Sequence, residues 1–153
     1  MIDPEQFKIL LPLACKWAEQ QEESIQQKGN ILTSSQINDA THVGVKHPEK
    51  VRLLQVPNIP IPDEPSLAVA AQATQLITAN TAGLTLRYGI FIRSDCWNDR
   101  KLLIHELVHT SQYERLGGIL PFLENYLSEV LSIGYPAAPM EQEAIKIAQE
   151  MTT

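Results

Sequence analysis

His105-Glu106-Leu107-Val108-His109 decides how this chain is read. In a helix, two imidazoles four residues apart leave the same face and can grip one metal ion. Glu106 lies about 100° round from His105, placed to reach a water on the metal instead of the metal itself. The flanks suit a helix: Asn98 or Asp99 can cap it, and Gly117-Gly118 can end it. At ordinary residue frequencies the pattern arises by chance in roughly one chain in a few hundred of this length. Two of the four histidines fall in it, which favours a zinc site over a pair of solvated histidines.

Two histidines leave a zinc ion short, because a catalytic site takes three protein ligands and keeps one position open. The downstream carboxylates are Glu124, Glu129, Glu141 and Glu143. A helix opened by Pro121 buries Phe122, Leu123, Tyr126, Leu127, Val130 and Leu131. Glu124 and Glu129 then sit roughly 110° from the centre of that face and should meet solvent. On a last helix opened by Pro139, Glu141 lies about 60° from the centre of the stripe formed by Met140, Ala144, Ile147, Ala148 and Met151, and Glu143 about 100°. Glu141 is therefore the favoured third ligand, with Glu143 as the alternative. Cys96 precedes the motif but stands alone, whereas mixed Cys/His sites usually show paired cysteines.

Upstream, Asp3-Pro4-Glu5-Gln6 predicts a capped helix start. Leu10, Leu13, Ala14, Trp17 and Ala18 carry the helical period up to a stop at Gly29. Pro12 should kink this helix or mark where its continuous part begins. The stretch 19–27, with Glu22-Glu23, reads as solvated surface. Residues 51–56 predict a strand, followed by a proline-rich connector and a helix over 65–76. Residues 84–93 alternate as one half-buried strand, with Gly89 a bulge or a point of close backbone approach. The order α-β-α-β-α-α-α is an α+β fold with a small mixed or antiparallel sheet. A single domain over 1–153 is expected, in which 1–83 supplies helices and a strand and 84–153 the edge strand, motif helix and ligand helix.

The bulk numbers agree with a globular chain. Its 153 residues, 44% hydrophobic and 20% charged, suffice for one core. A net charge of -6 with no Lys/Arg cluster argues against nucleic acid as a partner. No apolar run approaches a membrane span, and the start does not read as a signal peptide, so a cytoplasmic protein is expected. Two distant cysteines, Cys15 and Cys96, read most simply as reduced thiols.

The run His105 to Tyr113, the Gly-Gly turn, the helix carrying Phe122, Leu123, Tyr126 and Leu127, and Gly134-Tyr135-Pro136 leading into Met140-Glu141 together resemble small, minigluzincin-like zinc metallopeptidase domains of the gluzincin (HExxH…E) type. The resemblance covers residues 84–148. It implies a zincin-like fold with one Zn2+ per chain, held by His105, His109 and Glu141, and with Glu106 as general base. It further implies a strand ahead of the motif helix that pairs with an extended peptide or protein substrate. Two departures stand out. Position 145 is Ile where many relatives carry Asp, and Glu141 follows His109 at a longer interval than in the thermolysin type. Glu129 falls at the thermolysin-like interval but lacks the preceding Asn.

The expected activity is hydrolysis of peptide bonds, with Glu106 moving the proton. Tyr135 is the first candidate donor to the oxyanion, followed by Tyr113 and His42, although a loop aromatic packed over helix ends would read the same way. Gln112 shares the metal-binding face. His42, His47, Trp17 and Trp97 are left outside the site. Competing readings are a non-catalytic zincin-fold interaction module and a zinc hydrolase acting on a non-peptide amide.

Overall fold

Asp3 caps the first helix, α1 (Pro4–Lys28), in the computed structural model, which describes residues 2–153. Its carboxylate accepts from the Gln6 amide at 2.8 Å, and the Gln6 side chain accepts from the Asp3 amide at 2.9 Å. The capping box is thus closed in both directions. α1 runs through Pro12, so its continuous part does not begin there. Gly29 ends it in a space that excludes a side chain, since a Cβ would stand 2.7 Å from the Ile25 carbonyl oxygen.

After α1 come β1 (Asn30–Ile31), α2 (Ser34–His42), β2 (Arg52–Val56), α3 (Pro65–Ala73), β3 (Gly83–Leu86) and β4 (Gly89–Arg93). The chain closes with α4 (Arg100–Leu116), α5 (Ile119–Ile133) and α6 (Pro139–Met151). The fold is α+β, with a mixed sheet in the order β1-β2-β4-β3. β2 and β4 pair in parallel, and the outer pairs are antiparallel.

The expected single strand over 84–93 is a hairpin. Leu86 pairs with Gly89, leaving Arg87 and Tyr88 as its two turn residues. Arg87 has φ 61°, a conformation that usually selects Gly or Asn. Glu22 holds it there. Its carboxylate accepts from Arg87 Nε at 2.9 Å, Arg87 Nη2 at 2.7 Å and the Tyr88 amide at 2.9 Å. The alternation read as a half-buried strand belongs in β4 to a strand buried on both faces. Ile90 and Ile92 face the cluster of Leu53, Leu103 and Leu107, whereas Phe91 faces the cluster built on α1 and α5.

The expectation that residues 19–27 are solvated holds only on one face, where Glu19, Gln20, Glu23 and Gln27 are exposed. Glu22 is buried, and Ile25 is fully buried against β4, where Gly89 lets α1 come close. A Cβ on Gly89 would lie 3.0 Å from Ile25 Cδ1. The predicted element order lacked α2 and β1, and the ends of two helices differ. α3 stops at Ala73, and α5 begins at Ile119, two residues ahead of Pro121. α2 has its own capping box between Thr33 and Gln36, and its buried Asp39 pairs with Arg100 through two 3.0 Å hydrogen bonds. None of the helices among the described residues is long and apolar enough to cross a membrane.

α4 is the structural centre. Its residues Leu103 to Tyr113 are buried, apart from half-buried His105. It packs against α6 and runs along the edge strand β3. A central helix can carry polar side chains only if each is bonded. Thr110 donates to the Arg87 carbonyl at 2.8 Å and Ser111 to the Val108 carbonyl at 2.6 Å. Among the described residues no buried side-chain N or O lacks a partner.

Candidate metal centre

α4 presents His105 and His109 on one face, with ring centroids 5.0 Å apart. α6 brings Glu141 onto them from its first turn. One Glu141 oxygen lies 2.5 Å from His105 Nε2, and the other 3.2 Å from His109 Nε2. The three donor atoms lie within 4.8 Å of one another. Glu141 is 2% exposed and His109 6%. Two imidazole nitrogens and a carboxylate, converging in a buried pocket, form a donor set that suits zinc.

The electrostatics follow from that contact. Burial pushes the Glu141 carboxyl up, but the hydrogen bonds and charges of His105 and His109 outweigh it and hold the group well below the usual carboxylate range. Burial pulls the His109 imidazolium down. The Glu141 hydrogen bond and charge, aided by Glu106 and Gln112, prevail and raise it to about 9.

Three further side chains fix the donors. His109 Nδ1 lies 2.8 Å from Gln112 Oε1. The Gln112 amide nitrogen donates to the Met140 carbonyl at 2.9 Å and to Glu143 Oε1 at 2.7 Å. Tyr126 donates to Glu141 Oε2 at 2.7 Å, and its ring stands edge-on to His109 at 5.8 Å. Phe122 stacks between Tyr126 and Tyr113, which makes one aromatic column behind the histidines.

Glu106 sits beside the triad and is held by β3. Thr85 Oγ1 donates to Glu106 Oε1 at 2.7 Å and also approaches the Glu106 carbonyl at 3.0 Å. Gly83 leaves room for this carboxylate, because a Cβ there would lie 3.1 Å from both Glu106 Cγ and Oε2. β3 is an edge strand. With Leu86 facing Gly89 across the turn, alternation turns the backbone groups of Gly83 and Thr85 outward. The Thr85 carbonyl accepts from Tyr113 at 3.1 Å, which leaves its N–H and both Gly83 groups facing away from β4 with no strand beside them.

Of the residues marked in the sequence, His105, His109, Glu106 and Glu141 come together. Glu143 does not join the triad; it bonds Gln112 and Arg115. Glu129, expected in solvent, instead accepts from the Met140 amide at 2.9 Å and caps the start of α6. Glu124 is exposed. Tyr135 is 39% exposed at the mouth of the site, on the border of an apolar cavity and a polar groove. Burial, followed by the charges of Glu141 and Glu106, pushes its phenol up to about 12. Tyr113 spends its hydroxyl on Thr85, and His42 is an exposed residue at the end of α2. Cys96 lies with Arg93 and Asp95, apart from the triad. Thr85, Gly83 and Tyr126 carried no signal of their own, since each owes its role to a contact between elements distant in sequence. Comparison with protein-family models, with curated proteins and with solved structures gives no match to this chain.

Proposed function

We propose that the protein is a zinc-dependent metallopeptidase with a zincin-like arrangement, in which His105, His109 and Glu141 hold the ion. The observation that carries this reading is the convergence of two imidazole nitrogens and one carboxylate within 4.8 Å, beside a fourth group, Glu106, that points elsewhere. A purely structural zinc site closes with four ligands and has no use for Glu106. Zinc held by the triad would supply Lewis acidity, acidifying a water and polarising a carbonyl.

The chain's own residues do the rest. Glu106 takes the proton from the attacking water and delivers it to the departing amine, while Thr85 holds Oε1 so that Oε2 meets the substrate. Gln112 keeps the proton of His109 on Nδ1 and so leaves Nε2 free to ligate. Tyr135, kept protonated by its raised pKa, donates to the carbonyl oxygen as charge develops there. The open edge of β3 offers backbone groups to an extended peptide.

The test is to incubate the zinc-loaded protein with a mixture of unstructured peptides and read the products by mass spectrometry. Cleavage that disappears in Glu106→Gln, with zinc retained, supports the reading. Intact peptides after prolonged incubation with zinc-loaded protein overturn it.

A further inference from the structure

An apolar cavity of about 170 Å³ opens from the triad into the layer between α1, α3, α5 and β3. Small side chains make the room: Ala14 and Ala18 on α1, Ala70 and Ala71 on α3. Trp17 and Phe122 are among the larger residues that wall it. Among the described residues, the only charged or titratable lining groups besides tyrosines are His105, Glu106, His109 and Glu141, all members of the site itself. Protein interiors are close-packed, so an apolar void of this size forfeits contacts that larger residues at the alanine positions would restore. On the far side of His105, Glu106 and Tyr135 the character changes. There Gln75, Asn80, Asp99 and Lys101 join the apolar Leu102, Ile145 and Ala148 in a groove that is more polar than the cavity and more open to solvent.

Resting on the peptidase reading above, we propose that the cavity is the subsite for one bulky, uncharged substrate side chain, of leucine or phenylalanine size, next to the bond that is cut. The polar groove takes the chain on the other side of that bond. Size sets the upper limit, since a dry apolar cavity of about 150 Å³ accepts a single benzene ring. A long acyl chain does not fit. Charge sets the other limit. A lysine or aspartate side chain, or a free chain terminus, would be buried there with no counter-charge except groups the chemistry already uses.

Trp17 supplies the test. In a Trp97→Phe variant it is the sole tryptophan, and Trp97 does not line the cavity. The zinc-loaded variant is titrated with the N-acetyl amides of phenylalanine, leucine, lysine and aspartate, while Trp17 emission is followed. The phenylalanine and leucine amides should shift it saturably and the other two should not. Ala14→Phe and Ala70→Phe fill the cavity from different helices and should each weaken binding of the N-acetyl phenylalanine amide at least tenfold, so one of them failing to fold leaves the other to decide. No saturable shift with any amide, equal shifts with all four, or binding unchanged in the filled variants would overturn the subsite. The two readings fail separately: amide selectivity without cleavage of any phenylalanine-containing peptide sinks the peptidase, and cleavage indifferent to flanking side chains sinks the subsite alone.

Discussion

Gln112 Oε1 accepts the proton of His109 Nδ1 at 2.8 Å. The direction is set by the other end of the amide, whose nitrogen faces two acceptors, the Met140 carbonyl and Glu143 Oε1. The oxygen must therefore face the imidazole, so Nδ1 donates and Nε2 points at Glu141. Replacing Gln112 by Ala removes that orientation and the tie between α4 and the Met140 carbonyl at the start of α6. Zinc affinity, measured by competition with a chromophoric chelator, should fall about 10- to 100-fold. Gln112→Glu keeps an acceptor for Nδ1 but turns its second carboxylate oxygen onto the Met140 carbonyl and Glu143, so it should also lose affinity.

Thr85→Val removes the hydroxyl that holds Glu106 Oε1 but keeps the shape of β3. Hydrolysis should fall about tenfold or more in kcat, with zinc content unchanged, because a base swinging free of its position loses part of its advantage. Glu106→Gln should lose about a hundred- to ten-thousand-fold and also keep zinc. Equal zinc loss in either variant would show that these residues serve the ligands instead of the proton transfer.

Without a metal, the triad makes stability depend on pH. His109 is raised to about 9, so its contribution is full below the unfolded value near 6.5 and is lost as pH rises through about 9. Glu141 is lowered, so its contribution is present above the unfolded value near 4.5 and is lost only as pH falls through its depressed pKa. Between pH 7 and 9.5 the metal-free protein should therefore lose on the order of 5 °C in Tm. Zinc needs neutral imidazoles, so the zinc-loaded protein should not show this fall and should take up zinc with proton release at pH 7. Calorimetry of both forms across that range gives the answer.

The hairpin turn depends on Glu22. Glu22→Ala leaves Arg87 at φ 61° with no carboxylate to hold it, and the Tyr88 amide loses its acceptor. A loss of about 2–4 kcal/mol is expected in urea unfolding. Glu22→Ala with Arg87→Gly should recover part of it, because glycine adopts that conformation without a partner.

The helices around the site were legible because their ends are written locally. Asp99 before α4, Gly117 after it, and Pro139 at the head of α6 each act within one turn. The angular position of Glu141 on α6 separated it from Glu143, and the same reasoning failed for Glu129. An exposed-face angle does not reveal that a neighbouring helix start, the Met140 amide, will come within 2.9 Å. The hairpin was hidden for a related reason. Arg87-Tyr88 carries no turn residue, and its stability comes from Glu22, far away on α1. Tyr126 belongs to the apolar stripe of α5, where nothing marks its hydroxyl as the partner of a ligand. α2 did carry a sign, the Thr33–Gln36 capping box, but its buried residues Asp39 and Ala40 make no apolar period.

The central claim is that His105, His109 and Glu141 hold one zinc ion. Its most direct test is the zinc stoichiometry of the dialysed protein by elemental mass spectrometry, wild type beside Glu141→Ala and Glu143→Ala. About one zinc per chain in the wild type and in Glu143→Ala, with loss in Glu141→Ala, is the predicted result. A wild type that binds no zinc, or a folded Glu141→Ala that retains it fully, would contradict the account.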